Sequence, residues 1–200
     1  MEHISNLVVI DSDIRRRAAI SHALSTGRLH VEPFESVSEL TAVWPRADVV
    51  LIFEEPGAVR KLIAKMAQQG ACFPIVAFAE APSSHRIVEA VLDGAIDYLT
   101  WPIPADELRS ALERAMVRSA ESGHGKLREL IARAQIDRLT RRERQVLGGV
   151  ASGLSNRLIG EKLAISPRTV EIHRANMLNK LGANHTSDAI RIAIEAALKD

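Results

Sequence analysis

Three sets of side chains in this chain have types and spacing suited to chemistry. Asp11 and Asp13 close an apolar run, NLVVID, and Glu54 and Glu55 follow a second one, VVLIF. Carboxylates at the ends of buried runs can hold a hard cation or act as nucleophiles. The third set is polar and basic: Asn156, Arg168, Thr169, Glu171, Arg174, Asn176, Asn179 and Lys180, with the apolar Ile172 and Ala175 among them. Such groups on a helix can meet phosphates and base edges. The single cysteine, Cys72, precedes the apolar run 73–78 and reads as a small buried residue, and no internal disulfide can form. There is no nucleophile–base pair, no metal-ligand spacing and no Gly-rich phosphate loop. The expectation is therefore a protein that is not an enzyme, with no catalytic residue, no metal and no cofactor.

The elements that must position these groups follow from hydrophobic periodicity. Short apolar runs at 6–11, 29–34, 49–53, 74–78 and 96–99 read as buried strands. Between and after them, helical spacing appears at 14–24, 36–44, 59–66, 84–92 and 106–117. Continuous apolar strands alternating with helices predict a five-stranded parallel (βα)5 domain covered on both faces. Chemistry in such sheets sits at the carboxyl ends of the strands, here Asp11–Asp13, Phe53–Glu55, Ala79–Glu80 and Thr100–Trp101.

The composition changes at SAESGHG, 119–125. The division expected is residues 1–120 as the α/β domain, 121–137 as a partly helical linker, and 138–200 as an all-α domain. In the last part, Thr140 and Glu143 form a capping-box pair. The stretch 155–181, SNRLIGEKLAISPRTVEIHRANMLNKL, reads as two helices about a tight corner at Ile165-Ser166-Pro167. Ser166 is suited to an N-cap and Pro167 to the first turn. Gly182 stops the second helix. A short helix, a turn and a second helix with polar groups is the geometry that enters a DNA major groove. A last helix over 188–198, capped at Ser187, carries an apolar arc wider than one face. Its outer side, with Ile190, Ile194 and Ala197, is a candidate two-fold dimer contact.

Charge agrees with two domains. Residues 1–120 hold 12 Lys+Arg against 16 Asp+Glu, and residues 121–200 hold 14 against 9. The basic half is the one expected to face a polyanion. No signal peptide or membrane-spanning run is present, so a cytoplasmic protein without a membrane partner is expected.

The run LTRRERQVLGGVASGLSNRLIGEKLAISPRTVEIHRANMLNKLGA resembles the helix-turn-helix domain of LuxR/FixJ-type regulators. The resemblance implies base-edge contacts from Glu171, Ile172 and Ala175, with Asn176 and Asn179 nearby. It implies phosphate contacts from Asn156, Arg168, Thr169, Arg174 and Lys180. Gln145, Leu158 and Gly160 depart from the family's usual residues.

The front half, through VVIDSD, ADVVLIFEEPG, PIVAFAE and DGAIDYLTWPIPADEL, resembles the receiver domain of two-component response regulators. That family carries an acidic Mg²⁺ pair at the end of strand 1, and its strand 3 ends in the phosphoacceptor Asp, strand 4 in Ser or Thr, and strand 5 in Lys before Pro. Here those positions are Asp11 and Ser12, Phe53, Ala79, and Trp101 before Pro102, a degenerate phosphorylation site. The resemblance implies a dimeric, sequence-specific regulator of transcription that binds double-stranded DNA. Its atypical receiver would act through dimerisation or partner binding rather than through a phosphorylated Asp. Two alternatives are a receiver that accepts a phosphoryl group on Glu54, Glu55 or Asp11, and a front domain that is chiefly an interaction module. A sensor kinase or other signalling protein is the partner implied. Trp101 is expected to pack on Phe53 or Tyr98, the alternative being a fixed switch or a contact surface for a partner.

Overall fold

The computed structural model describes residues 5–25, 29–121 and 125–197, and within these all side chains except those of 5, 118–121 and 197. The chain divides into an α/β unit and a helical unit. The α/β unit runs β1 (Ser5–Ile10), α1 (Ile14–Leu24), β2 (Leu29–Phe34), α2 (Val37–Val43), β3 (Val49–Phe53), α3 (Ala58–Gln69), β4 (Ile75–Glu80), α4 (Ser84–Leu92), β5 (Asp97–Trp101) and α5 (Ala105–Glu121). All strands are parallel, in the order β2-β1-β3-β4-β5. The predicted fold class is the one observed.

The strands are apolar along their whole length because both faces are covered. Leu7, Val9, Val49, Leu51, Val76, Phe78 and Leu99 pack with Ile20 and Leu24 of α1 and Leu108, Ala111 and Leu112 of α5. The alternate residues Val8, Ile10, Val50, Ile52, Ile75 and Ala77 are equally buried and face the other way. The handedness of parallel crossovers leaves that face to α2, α3 and α4. The reversal of strand order falls between β1 and β3, so their carboxyl ends open a crevice.

The helical unit comprises α6 (Gly125–Asp137), α7 (Arg141–Ala151), α8 (Asn156–Leu163), α9 (Pro167–Leu181) and α10 (Thr186–Ala197). Its core joins Ala132, Leu139, Val146, Leu147, Val150, Ile159, Val170, Met177, Leu181, Ala189 and Ile192. Helix α6, in the stretch expected as linker, is part of this packing: Gln135 Nε2 donates to the Leu181 carbonyl at 2.9 Å. Helix α5 continues to Glu121, past the composition change at 119.

The caps read from sequence are present. Thr140 and Glu143 exchange both capping-box bonds. The Ser166 hydroxyl accepts from the Thr169 N–H, with Pro167 in the first turn, and Gly182 ends α9 at φ 66°. The last helix starts earlier than expected: α10 begins at Thr186, so Ser187 lies inside its first turn, and the Asp188 carboxylate accepts from the His185 N–H just before it at 3.1 Å. Position 198, the expected end of this helix, lies outside the described residues.

Gly160 has a local reason. A Cβ built there would lie 2.7 Å from the Ile165 carbonyl oxygen. The Ile165 N–H in turn donates to the Gly160 carbonyl at 3.0 Å. The corner between α8 and α9 is folded directly onto that glycine.

Candidate nucleic-acid interface and the strand-end site

At the strand ends of the α/β unit, Asp13 caps α1 by accepting from the N–H groups of Arg15 and Arg16. This holds the Asp13 carboxyl below its usual range. The cap also orients Arg16 back over the sheet. Its Nε donates to Asp11 Oδ2 and its Nη2 to Asp11 Oδ1, both at 2.7 Å, and its Nη1 donates to Glu80 Oε1 at 2.9 Å. The hydrogen bonds to Asp11 outweigh burial and raise the Arg16 guanidinium further above its ordinary value. Arg17 adds a bond to the Asp11 carbonyl.

The guanidinium carbon of Arg16 stands 4.0 Å from the centroid of the Phe53 ring. Phe53 meets Phe78 edge to face at 5.4 Å, and Phe78 meets Trp101 at 6.2 Å. Trp101 was expected against Phe53 or Tyr98. Its ring partner is instead Phe78, the buried side chain one strand over, because Trp101 pairs in register with Glu80 at the end of β4. Ala79 is buried, and Trp101 precedes a cis Pro102 peptide bond.

The two glutamates after β3 part company. Glu54 is buried and gripped by Arg86 of α4, whose Nη2 lies 2.7 Å from each carboxylate oxygen and whose Nε lies 3.0 Å from Oε2. Burial, then the Glu54 charge, pushes the Tyr98 phenol up to about 12. Glu55 is exposed and lines a cleft of about 310 Å³ with Asp11, Ser12, Glu35, Phe53 and Lys61.

The family's Mg²⁺ can be tested against these residues. Both Asp11 oxygens are taken by Arg16, position 12 is a serine, and Phe53 offers no oxygen. Among the described residues no three His, Cys, Asp or Glu side chains converge on a common point. The donor set does not fit a divalent cation. Sequence reasoning missed Arg16 and Arg86, and placed Glu80 at a strand end without a partner. Arg16, five residues after Asp11 in the first turns of a helix, had a local signal, whereas Glu80 and Arg86 are brought in only by the sheet.

In the helical unit, Val170, Met177 and Leu181 of α9 are buried, while Glu171, Ile172, Ala175, Asn176 and Asn179 are exposed. The exposed set recurs at i, i+1, i+4, i+5 and i+8, which is one stripe on the side away from the core. Ile172 is 53 % exposed and lies within this stripe. Arg168 lies beside this stripe with its Nη1 3.0 Å from Glu171 Oε2. The Thr169 hydroxyl is paired with that of Ser166 at 2.8 Å.

The other expected phosphate contacts have partners inside the unit. Arg174 donates to Asn156 Oδ1 at 3.1 Å and to the Thr186 hydroxyl at 2.5 Å, tying α8, α9 and α10 together. Lys180 donates to Glu143 Oε2 at 2.8 Å. Burial of Glu143 works against its charge. Lys180 and the Thr140 N–H and hydroxyl prevail, and hold its carboxyl below the usual range. On α10, Ile194 is 54 % exposed and Ile190 half-buried against the core. The Ala197 side chain lies outside the described residues.

Residues 137–193 match the family of bacterial regulatory proteins of the luxR family, GerE. The transcriptional regulatory protein FixJ of Bradyrhizobium diazoefficiens is 31 % identical over 197 residues, spanning 96 % of each chain. The chain belongs to the FixJ-type response regulators with a LuxR-type DNA-binding domain. FixJ of Azorhizobium caulinodans is 32 % identical over 198 residues, covering 95 % of this chain and 92 % of its own. The crystal structure of full-length FixJ from B. japonicum matches all of both chains at 28 % identity with a TM-score of 0.53. As a FixJ-type protein the chain is a two-component transcription regulator that binds DNA, and it is not an enzyme. No helix among the described residues is long and apolar enough to cross a membrane.

Proposed function

We propose that this FixJ-type regulator binds a specific DNA site as a homodimer and that its receiver acts without phosphorylation of an aspartate. The observation that carries the reading is Phe53 at the end of β3, where the family places its phosphoacceptor. An aryl ring has no carboxylate with which to attack phosphorus. Ala79 and Trp101 likewise replace the hydroxyl and the ammonium that would sense a phosphoryl charge. The functional division is residues 1–120 as receiver, 121–137 as connector and 138–200 as DNA-binding domain.

On this reading α9 lies in the major groove. Glu171 accepts from a cytosine amine, Ile172 meets a thymine methyl and Ala175 allows close approach, with Asn176 and Asn179 beside them. Arg168 and Thr169 hold phosphates at the start of the helix, with Asn156, Arg174 and Lys180 behind them. Helix α10 supplies the two-fold contact that sets half-site spacing, through Ile190, Ile194 and Ala197. A sensor kinase or other signalling protein engages the receiver by contact rather than by phosphoryl transfer.

A second reading keeps a carboxylate acceptor, and one observation favours Glu55 for it: the residue is exposed and lines the strand-end cleft. Asp11 and Glu54 are each held by an arginine. The experiment is intact-mass measurement after incubation of the full chain with a small-molecule phosphodonor and Mg²⁺. No adduct is expected, and a stoichiometric phosphoryl adduct mapped to Glu55 would favour the second reading.

A further inference from the structure

We propose that Arg16 is a built-in cation, whose guanidinium takes the charge-balancing and strand-tying place that a divalent ion holds in a receiver. The inference rests on the reading above, that this site is not phosphorylated, and adds what fills it. Three strand ends meet Arg16: Asp11 after β1, Phe53 at the end of β3 and Glu80 at the end of β4. Each meets it by chemistry that suits a guanidinium. The planar fork matches the Asp11 carboxylate with two parallel bonds, the remaining nitrogen reaches Glu80, and the flat cationic face lies on an aromatic ring. A magnesium ion asks for the opposite, six oxygens at about 2.1 Å in octahedral order. The aryl face of Phe53 gives it none.

Burial makes the arrangement durable. The Asp11 side chain is fully buried and that of Arg16 is 15 % exposed. A hydrated metal ion would have to displace two charge-assisted bonds and the ring contact to reach Asp11. The consequence is a receiver whose strand ends are held by its own chain, so that neither metal addition nor metal removal shifts it.

The test is a Mg²⁺ titration of the full chain, followed by the amide resonances of Asp11, Ser12, Phe53 and Glu80. Wild type is expected to show no saturable shift, and its melting temperature is expected to be the same in Mg²⁺ and in chelator. Arg16→Met frees Asp11 and Glu80, and is expected to show a saturable Mg²⁺ shift at these amides that wild type lacks, about tenfold or more tighter than the detection limit of the wild-type titration. If Arg16→Met is unfolded in chelator, Mg²⁺ is expected to restore its fold, which reads the same replacement. Phe53→Asp with Arg16 kept is expected to gain no binding. Saturable Mg²⁺ binding by wild type at these amides overturns the proposal, as does an Arg16→Met protein that neither binds Mg²⁺ nor is restored by it. A phosphoryl adduct on wild type would instead count against the functional reading, and leaves the titration to decide on Arg16.

Discussion

The guanidinium of Arg16 is stacked on the ring of Phe53 at 4.0 Å while both its outer edges hold carboxylates. The stack is half-buried, where such a contact contributes about 1 kcal/mol. A double-mutant cycle of Arg16→Met and Phe53→Leu is expected to return a coupling of that size in urea unfolding. Additive effects would show that the ring serves only as apolar filling.

Glu143 and Lys180 give a pH signature. The Glu143 carboxyl is held below its usual value of 4.5 in the folded chain. A depressed carboxyl contributes stability that is fully present above the unfolded value and is lost as pH falls through the folded one. Wild type is therefore expected to exceed Glu143→Gln by about 1–2 kcal/mol near neutrality, the range for a hydrogen-bonded charge whose partner is partly in water. Lys180 is 38 % exposed, which limits its share. Thermal unfolding of both proteins from pH 7 down to pH 3 should show the gap closing below the usual value. A gap that widens on acidification would mean that the carboxyl is raised instead.

Gly160→Ala would normally gain about 0.5–1 kcal/mol of helix propensity. Here the new methyl meets the Ile165 carbonyl at 2.7 Å, so the corner must open. The expected outcome is a net loss of about 1–3 kcal/mol, the usual cost of forcing an extra carbon into a packed site. Chemical denaturation measures it, and a more stable variant would show that the corner yields freely.

Arg168 and Lys180 should separate in function. Arg168 is exposed and pairs with Glu171, which is exposed too, so Arg168→Ala should leave the melting temperature unchanged. Its DNA affinity should lose about one unit of slope in a log Kd against log salt plot. Lys180→Met should lower the melting temperature first, through Glu143. The reverse pattern would exchange their roles.

Much of this was legible in the chain. Apolar runs at 49–53 and 74–78 are short and alternate with helical stretches, which reads as strands buried on both faces. Thr140 with Glu143, Ser166 with Pro167, and Gly182 mark helix ends through bonds that span a few residues. Phe53, Ala79 and Trp101 could be placed because the receiver pattern puts its signalling groups at strand ends, and β3, β4 and β5 end at or next to these residues. The partner of each charge was not legible. Arg86 reaches Glu54 across 32 positions and Arg16 reaches Glu80 across 64, and such meetings are set by the sheet order rather than by local spacing. Lys180 illustrates the same limit: the family pattern suggests phosphate, while the fold brings it to Glu143, 37 positions away.

The most direct measurement is the affinity of the full chain for its own DNA site, before and after treatment with phosphodonor and Mg²⁺, read by fluorescence anisotropy at fixed salt. A receiver without a phosphoacceptor predicts the same Kd in both states. A rise in affinity of about tenfold after treatment, the size of a working allosteric coupling, together with a phosphoryl adduct on the protein, would contradict it.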